Sequence, residues 1–227
     1  MDVKRNLMLR GISILLQIRI LLIKLNIIFI ISFSHAVNSS FESYNKNSPK
    51  QKTKPINVKL LYKKGDLWFL NNQPNPFTGV VFENSKITKN KILECEYKDG
   101  LLHGYYSEWY QGGTKKTSGQ YFKGKPNKCW LEWYPNGQLS DSINYLLGKR
   151  NGTWTEWYET GEKLYKGNYI NGVDHGKHLK WFQNGDKAFE FFYKNGKKDG
   201  VWVEWYPNGQ KMYENSFKEG IRELFIA

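Results

Sequence analysis

A strict 24-residue period runs through more than half of this 227-residue chain. Each unit begins with a Y-x-x-G phrase, and its aromatic residue recurs at Tyr97, Tyr121, Tyr145, Tyr169, Tyr193 and Phe217. A tryptophan follows twelve residues later in five successive units, with no residue inserted or lost between them. Such a period predicts repeated supersecondary units stacked in a row, each burying apolar surface against its neighbours.

Each unit is expected to contain two strands. The stretch KCWLEWY at 128–134 has the aromatic residues typical of a strand. Pro135-Asn136-Gly137 follows it, and proline and glycine at these positions predict a three-residue hairpin turn. The second strand then runs to the next Y-x-x-G phrase, where a G-x-x-x-G loop turns the chain back. We therefore predict an all-β fold, an elongated single-layer antiparallel meander of repeated β-hairpins.

Two aromatic columns follow from the alternation of side chains along a strand. Trp130, Glu132 and Tyr134 share one face, and Leu131 and Trp133 share the other. One column is Trp109, Trp133, Trp157, Trp181 and Trp205, and the second is Tyr110, Tyr134, Tyr158, Phe182 and Tyr206. The turn register places each Trp of the first column opposite residue 115, 139, 163, 187 or 211, four of which are lysines, so cation–π pairs are expected. The candidate binding residues are Trp109, Trp133, Trp157, Trp181, Trp205, Lys115, Lys163, Lys187 and Lys211.

The N-terminal segment differs from the repeats. Residues 1–36 contain a basic region, the apolar run LNIIFIISF and Ser34-His35-Ala36, an order typical of a secretory signal. An uncleaved hydrophobic membrane-anchoring helix is the alternative, with its basic side chains reaching the interface. The predicted segments are a signal peptide or anchor (1–36), a flexible linker (37–57), a degenerate N-terminal capping repeat (58–96), five repeats (97–216) and a C-terminal cap (217–227). The protein is expected to be exported, to the periplasm or outside the cell, or membrane-anchored, and to be cytoplasmic only if this segment is not a signal.

The phrase Y-x-x-G-x-x-x-G-x-W-x-E-W-Y-x-N-G, complete in the unit starting at Tyr193, resembles the MORN family in its bacterial variant form. The resemblance covers about residues 77–220. It implies a sheet of hairpins and a role as a scaffold, a membrane-associated module or a protein-binding module. Several bacterial members of the variant type are known as YwqK-like antitoxins. Two units depart from the pattern, one with Lys128 in place of the second glycine and one with His178 and Lys180 in place of the aromatic residue and the glutamate.

Titratable residues offer no catalytic arrangement. The repeated Glu108, Glu132, Glu156 and Glu204 have like environments by construction, whereas a glycosidase pair needs two carboxyls in different ones. We expect these glutamates to accept hydrogen bonds or to pair with lysines. His103 and His175 occupy a polar loop position. Cys95 and Cys129 lie three strands apart in a meander, about 14 Å, too far for a disulfide. We expect two free thiols, no metal and no cofactor.

The net charge of +13, from 34 basic and 21 acidic residues, favours acidic partners. We expect a non-enzymatic, exported binding scaffold for a protein partner, an anionic membrane surface or an envelope polymer; nucleic acid is not an expected partner. Two alternatives remain open, an antitoxin-like inhibitor of a co-encoded effector and a repeat protein that binds envelope glycan or choline. Strand edges at the ends of the array make homo-oligomers a further possibility.

Overall fold

The computed structural model describes residues 54–223. The predicted signal or anchor, the linker up to residue 53 and residues 224–227 of the predicted C-terminal cap lie outside the described residues. The described part is all-β apart from one short 3-10 turn at Val58–Leu60. No helix in this part is long and apolar enough to cross a membrane.

Eighteen strands follow one another in residues 54–223. In chain order they are β1 (Ile56–Asn57), β2 (Leu61–Lys64), β3 (Leu67–Leu70), β4 (Gly79–Asn84), β5 (Lys91–Lys98), β6 (Leu101–Trp109), β7 (Lys115–Phe122), β8 (Lys125–Trp133), β9 (Leu139–Leu146), β10 (Lys149–Trp157), β11 (Lys163–Ile170), β12 (Val173–Asp174), β13 (Gly176–Trp181), β14 (Lys187–Lys194), β15 (Lys197–Lys198), β16 (Gly200–Trp205), β17 (Lys211–Lys218) and β18 (Ile221–Arg222).

The predicted meander is confirmed. From β4 onward, neighbouring strands of the main sheet pair antiparallel in chain order, with β12 paired to β11 and β15 paired to β14. Strand β1 adds to the edge of β4 in parallel. Strands β2 and β3 form a separate hairpin. The sheet is long because each 24-residue unit contributes one hairpin and joins the next through an antiparallel pair.

Two kinds of turn alternate along the sheet. At the Pro-Asn-Gly tip, Tyr134 N–H donates to the carbonyl of Gln138 at 2.8 Å and Gly137 has a φ of 90°. At the opposite end, Lys123 and Gly124 both have positive φ, 48° and 77°, as the central residues of a two-residue type I′ hairpin turn do. This turn is tighter than the expected G-x-x-x-G loop. The second glycine of that motif lies in the following strand, where Gly152 has a φ of 103° and the register shifts.

One face of the sheet carries an aromatic layer, which we define by two sets of residues. The first set is the opening aromatics of the units. The second set is Tyr106, Trp130, Trp154, His178 and Trp202, each of which packs against the opening aromatic of its own unit or of the following unit. Trp130 and Trp202 are only 7% and 5% exposed. The two columns predicted from the sequence lie at the hairpin tips instead, so the layer that buries most aromatic surface was not recognised.

Mid-strand glycines make room for this layer. A Cβ atom at Gly119 would lie 2.2 Å from the Trp130 ring, and one at Gly167 would lie 2.2 Å from the Tyr165 hydroxyl. The Trp130 ring therefore rests directly on the backbone of the neighbouring strand, as a glycine inside a strand often allows, and the Tyr165 side chain lies over Gly167 of its own strand.

A conventional hydrophobic cluster forms at the N-terminal end of the described sheet. It contains the buried side chains Leu61, Phe77, Val81, Cys95 and Tyr97. The backbone joins the β2–β3 hairpin to the sheet, since Trp68 N–H donates to the Gly100 carbonyl at 2.9 Å. Apolar surface at this end is thus covered by residues that precede the first full repeat.

Candidate binding surface

The predicted hairpin register is confirmed. Each Trp of the first column is the last strand residue before the tip, and it pairs with position 115, 139, 163, 187 or 211. In each of these hairpins the register shifts immediately before the Trp, for example between Glu108 and Trp109. The tryptophans are partly exposed, and Lys163, Lys187 and Lys211 are exposed. We call the nine candidate residues, the five tryptophans and four lysines together, the Trp–Lys ladder.

Lysines link neighbouring rungs of the ladder. The ammonium of Lys115 lies 5.8 Å from the Trp109 ring in its own hairpin and 5.8 Å from the Trp133 ring of the next unit. Lys187 lies 5.8 Å from the Trp205 ring, again one unit further on. The first contact was expected from the register, whereas the contacts with the following unit were not. Both are within the range of cation–π attraction.

Glutamates form ion pairs with the ladder lysines of the last two units and with Lys91, which precedes the first unit. Lys187 lies 2.6 Å from Glu190, and Lys211 lies 2.5 Å from Glu214. At the other end, Lys91 lies 2.6 Å from Glu94, and its ammonium is 5.9 Å from the Trp109 ring. Each glutamate follows its lysine by three residues.

Lys177 also contacts Glu190, at 2.5 Å. Hydrogen bonds from Lys177 and Lys187 hold the pKa of the Glu190 carboxyl below its ordinary value. Glu190 is therefore ionised at neutral pH and offsets part of the positive charge in its unit.

Lys115 and Lys163, the ladder lysines of the first and third units, lack this neutralisation. The residue three positions after Lys115 is Ser118, and the one three positions after Lys163 is Lys166. Within residues 54–223, neither Lys115 nor Lys163 forms an ion pair. The cross-strand partner of Trp133 is Leu139, which leaves this part of the ladder aromatic, apolar and basic.

The second predicted column joins the units to one another. The hydroxyls of Tyr110, Tyr134 and Tyr158 donate to the backbone carbonyls of Trp133, Trp157 and Trp181 at 2.8, 2.8 and 2.9 Å. Phe182 has no hydroxyl at the fourth position. Tyr206 at the fifth position is 49% exposed. Since the first three hydroxyls are already used within the sheet, this column is a structural feature more than a contact surface.

The repeated glutamates face the aromatic layer. The Tyr106 hydroxyl donates to Glu108, and Lys116 lies 3.2 Å from the same carboxylate, as the expected pairing requires. Glu132 and Glu156 both pair with Asp141 across adjacent strands. Burial, and then the charge of Asp141, raise the pKa of both glutamates.

His178 occupies a layer position where other units have an aromatic ring, and it is only 3% exposed. Its Nδ1 lies 2.6 Å from the Tyr165 hydroxyl and its Nε2 lies 3.0 Å from the Asn168 carbonyl. Because that carbonyl accepts, Nε2 carries the proton and Nδ1 accepts from Tyr165. Burial lowers the pKa of His178, while Asp174, 3.9 Å away, raises it and Arg150 lowers it further. His178 is thus a neutral part of the layer.

The described residues contain no group of three or more His, Cys, Asp and Glu side chains that could hold a metal ion. Cys95 is buried and Cys129 exposed, and both are free, as expected.

The MORN repeat variant family matches three segments of the chain, residues 126–146, 150–171 and 198–219. Each segment contains one hairpin tip with the flanking strands, so the matches follow the observed units. No curated protein matches the chain. MORN repeats are generally involved in binding, which is consistent with a scaffold role. The narrower resemblance to YwqK-like antitoxins stays a prediction.

Proposed function

We propose that the repeat sheet is a non-enzymatic binding scaffold and that the Trp–Lys ladder contacts its partner. The observation that supports this proposal most directly is the position of Lys115 between the rings of Trp109 and Trp133, because cations and aromatic rings then alternate along the ladder. Tryptophan side chains supply much of the binding energy at protein interfaces, and lysines add electrostatic attraction to acidic groups. Many such contacts in a row produce affinity without a deep pocket.

A protein partner with acidic side chains fits this surface best. Among the four lysines of the ladder, the two without an ion pair in the described part of the chain belong to the first and third units, whereas glutamates balance Lys187 and Lys211 in the fourth and fifth units and Lys91 before the first. A short charged stretch suits a ligand segment of similar length, and rim charges mainly set the rate and specificity of association. An anionic membrane is the second class of partner in the test below.

The test compares two charge variants of the full chain. Lys115→Gln/Lys163→Gln removes the unpaired cations, and Lys187→Gln/Lys211→Gln removes the same number of paired ones. Each variant is cross-linked in native cells, and its cross-linked partners are identified by mass spectrometry. We expect the partner proteins found with the wild type to be absent with the first variant and mostly present with the second. Equal recovery of all products with both variants and the wild type would contradict the proposal.

Vesicle co-sedimentation distinguishes the second class of partner. Vesicles containing an acidic phospholipid and vesicles of neutral phospholipid alone are each mixed with the same three proteins. Little binding to either is expected. Binding that requires acidic lipid and is lost only in Lys115→Gln/Lys163→Gln would assign the ladder to membranes instead.

We further propose that the protein is exported, on the basis of the order of basic, apolar and small residues in 1–36. N-terminal sequencing of the protein from its native cells is expected to begin at Val37. A mature protein that retains residues 1–36 and lies in the soluble cytoplasmic fraction would contradict export and restore the cytoplasmic inhibitor as the leading alternative.

A further inference from the structure

The spacing of the ladder suggests the backbone conformation of its ligand. Trp109, Trp133 and Trp157 end strands β6, β8 and β10, and one strand lies between each pair. Two strand spacings are about 9.5 Å. The shared contact with Lys115 agrees with this distance, because it places the Trp109 and Trp133 ring centroids no more than twice 5.8 Å apart.

A polyproline II helix has nearly the same repeat. It has three residues per turn and a rise of about 3.1 Å per residue, so one turn advances about 9 Å. Every third side chain therefore returns to the same side at the interval that separates successive tryptophans. Polyproline II segments also dock characteristically on surfaces lined with aromatic side chains. In an extended β-strand ligand, side chains on one face recur about every 7 Å, which does not match the spacing of about 9.5 Å between successive tryptophans of the ladder.

The charges indicate which part of the ladder such a segment would use. Lys115 and Lys163 lie on either side of Trp133 and Trp157 and have no ion pair within residues 54–223. The lysines nearer the C-terminal end face Glu190 and Glu214. An acidic ligand therefore gains most over Trp109, Trp133 and Trp157. The twist between neighbouring strands, about 20° each, also limits a straight ligand to a few units.

Building on the proposed function, we propose that the ladder from Trp109 to Trp157 binds an acidic, proline-rich segment of a protein partner in the polyproline II conformation. The segment runs across the strands, with one helical turn per repeat unit. Prolines in every third position lie against the tryptophans, and carboxylates on an adjacent ridge pair with Lys115 and Lys163. About nine residues cover the three rungs.

Two peptides of identical composition test the spacing. One is three repeats of Pro-Pro-Glu, which places the glutamates on a single ridge. The other is Glu-Pro-Pro-Pro-Glu-Pro-Pro-Pro-Glu, in which the glutamates wind around the helix. Fluorescence anisotropy with the full chain is expected to give at least about tenfold tighter binding of the first peptide. Its affinity is expected to fall as salt rises, because the charges are exposed.

Two matched variants locate the contact. Trp133→Ala is expected to weaken binding of the in-phase peptide by about tenfold or more, as truncation of a central aromatic contact does. Trp205→Ala, at the neutralised end, is expected to change it by less than about twofold. Lys115→Gln/Lys163→Gln, which leaves every ring in place, is expected to weaken binding as well and covers the case in which Trp133→Ala folds poorly.

Equal binding of the two peptides, equal effects of Trp133→Ala and Trp205→Ala, or no binding of either peptide would overturn this inference. The outcome is separable from that of the proposed function. If native partners still cross-link through Lys115 and Lys163 while both peptides fail, only the polyproline II ligand is wrong. If the cross-linked products survive in the lysine variants, the ladder itself is not the contact surface.

Discussion

Removing the inter-unit tyrosine hydroxyls should reveal how strongly neighbouring repeats hold one another. The hydroxyls of Tyr110, Tyr134 and Tyr158 each donate to a backbone carbonyl one unit away at 2.8–2.9 Å. Changing one of them to Phe keeps the ring and deletes a single hydrogen bond. The expected loss in the free energy of unfolding is about 1 kcal/mol per site. The three sites are separated by about two strand spacings, so the triple variant should lose about 3 kcal/mol.

The chain supplies its own controls for this series. Tyr206 is 49% exposed, so Tyr206→Phe should change stability by less than about 0.5 kcal/mol. Phe182 lacks the hydroxyl at the equivalent position, so Phe182→Tyr should add a few tenths of a kcal/mol or more by reaching the Trp205 carbonyl. Equilibrium urea unfolding, followed by tryptophan fluorescence, measures all of these variants. The reasoning fails if Tyr206→Phe costs as much as Tyr134→Phe, or if the triple variant loses less than about 1 kcal/mol.

Three further changes probe other parts of the sheet. Gly119→Ala should lower the free energy of unfolding in urea by about 2 kcal/mol, because the added Cβ would lie 2.2 Å from the Trp130 ring. Gly112→Ala is the control and should leave stability nearly unchanged, since nothing lies within 4 Å of its added Cβ. Equal losses in the two variants would exclude the ring contact as the cause. Burial lowers the pKa of His178 from 6.5, so the unfolded chain binds a proton at this residue more readily than the folded protein does. The contribution of neutral His178 to the free energy of unfolding is therefore complete above pH 6.5 and declines as the pH falls below 6.5. His178→Phe should flatten the pH dependence measured between pH 7.5 and 5, and an unchanged slope would exclude His178 as its source. Burial raises the pKa of Cys95 to about 12. A thiol reagent at pH 8 should therefore label only the exposed Cys129 in the folded protein, and both cysteines after denaturation. Rapid labelling of Cys95 in the folded protein would contradict its burial.

The sequence was sufficient to predict the meander because two signals agree in every unit. The constant period sets the size of the hairpin, and Pro135-Asn136-Gly137 marks its tip so closely that the pairing of Trp133 with residue 139 followed directly. Turn chemistry of this kind acts over a few residues, so it is readable without tertiary information.

The aromatic layer could not be recognised in the same way. Trp130 and Trp133 both lie in one strand and on opposite faces, and a single strand does not reveal which face its neighbours cover. The deciding feature lies on the adjacent strand, where Gly119 lets the Trp130 ring approach the backbone. A glycine in the middle of KKTSGQYF was the available signal, because such a residue often marks a close approach. The contact of Lys115 with the following unit depends on side-chain direction, about which the period carries no information.

Two positions of the layer behave as one chemical pair. Arg150 lies 4.9 Å from the Trp154 ring, and Lys198 lies 4.2 Å from the Trp202 ring. In the unit between them, Asp174 replaces the cation and His178 replaces the Trp. The Asp174 carboxylate lies 3.9 Å from Nδ1 of His178.

The two changes occur together for a physical reason. An aromatic face attracts a cation and repels a carboxylate, whereas a carboxylate near an imidazole favours its protonated form, so that Asp174 opposes the effect of burial on the pKa of His178. Replacing His178 alone by Trp would therefore set the Asp174 carboxylate against a ring face that disfavours it. The last three units of the array thus differ in a pair of residues four positions apart, and the fourth unit keeps the common backbone with Asp174 and His178 in place of a cation and a tryptophan.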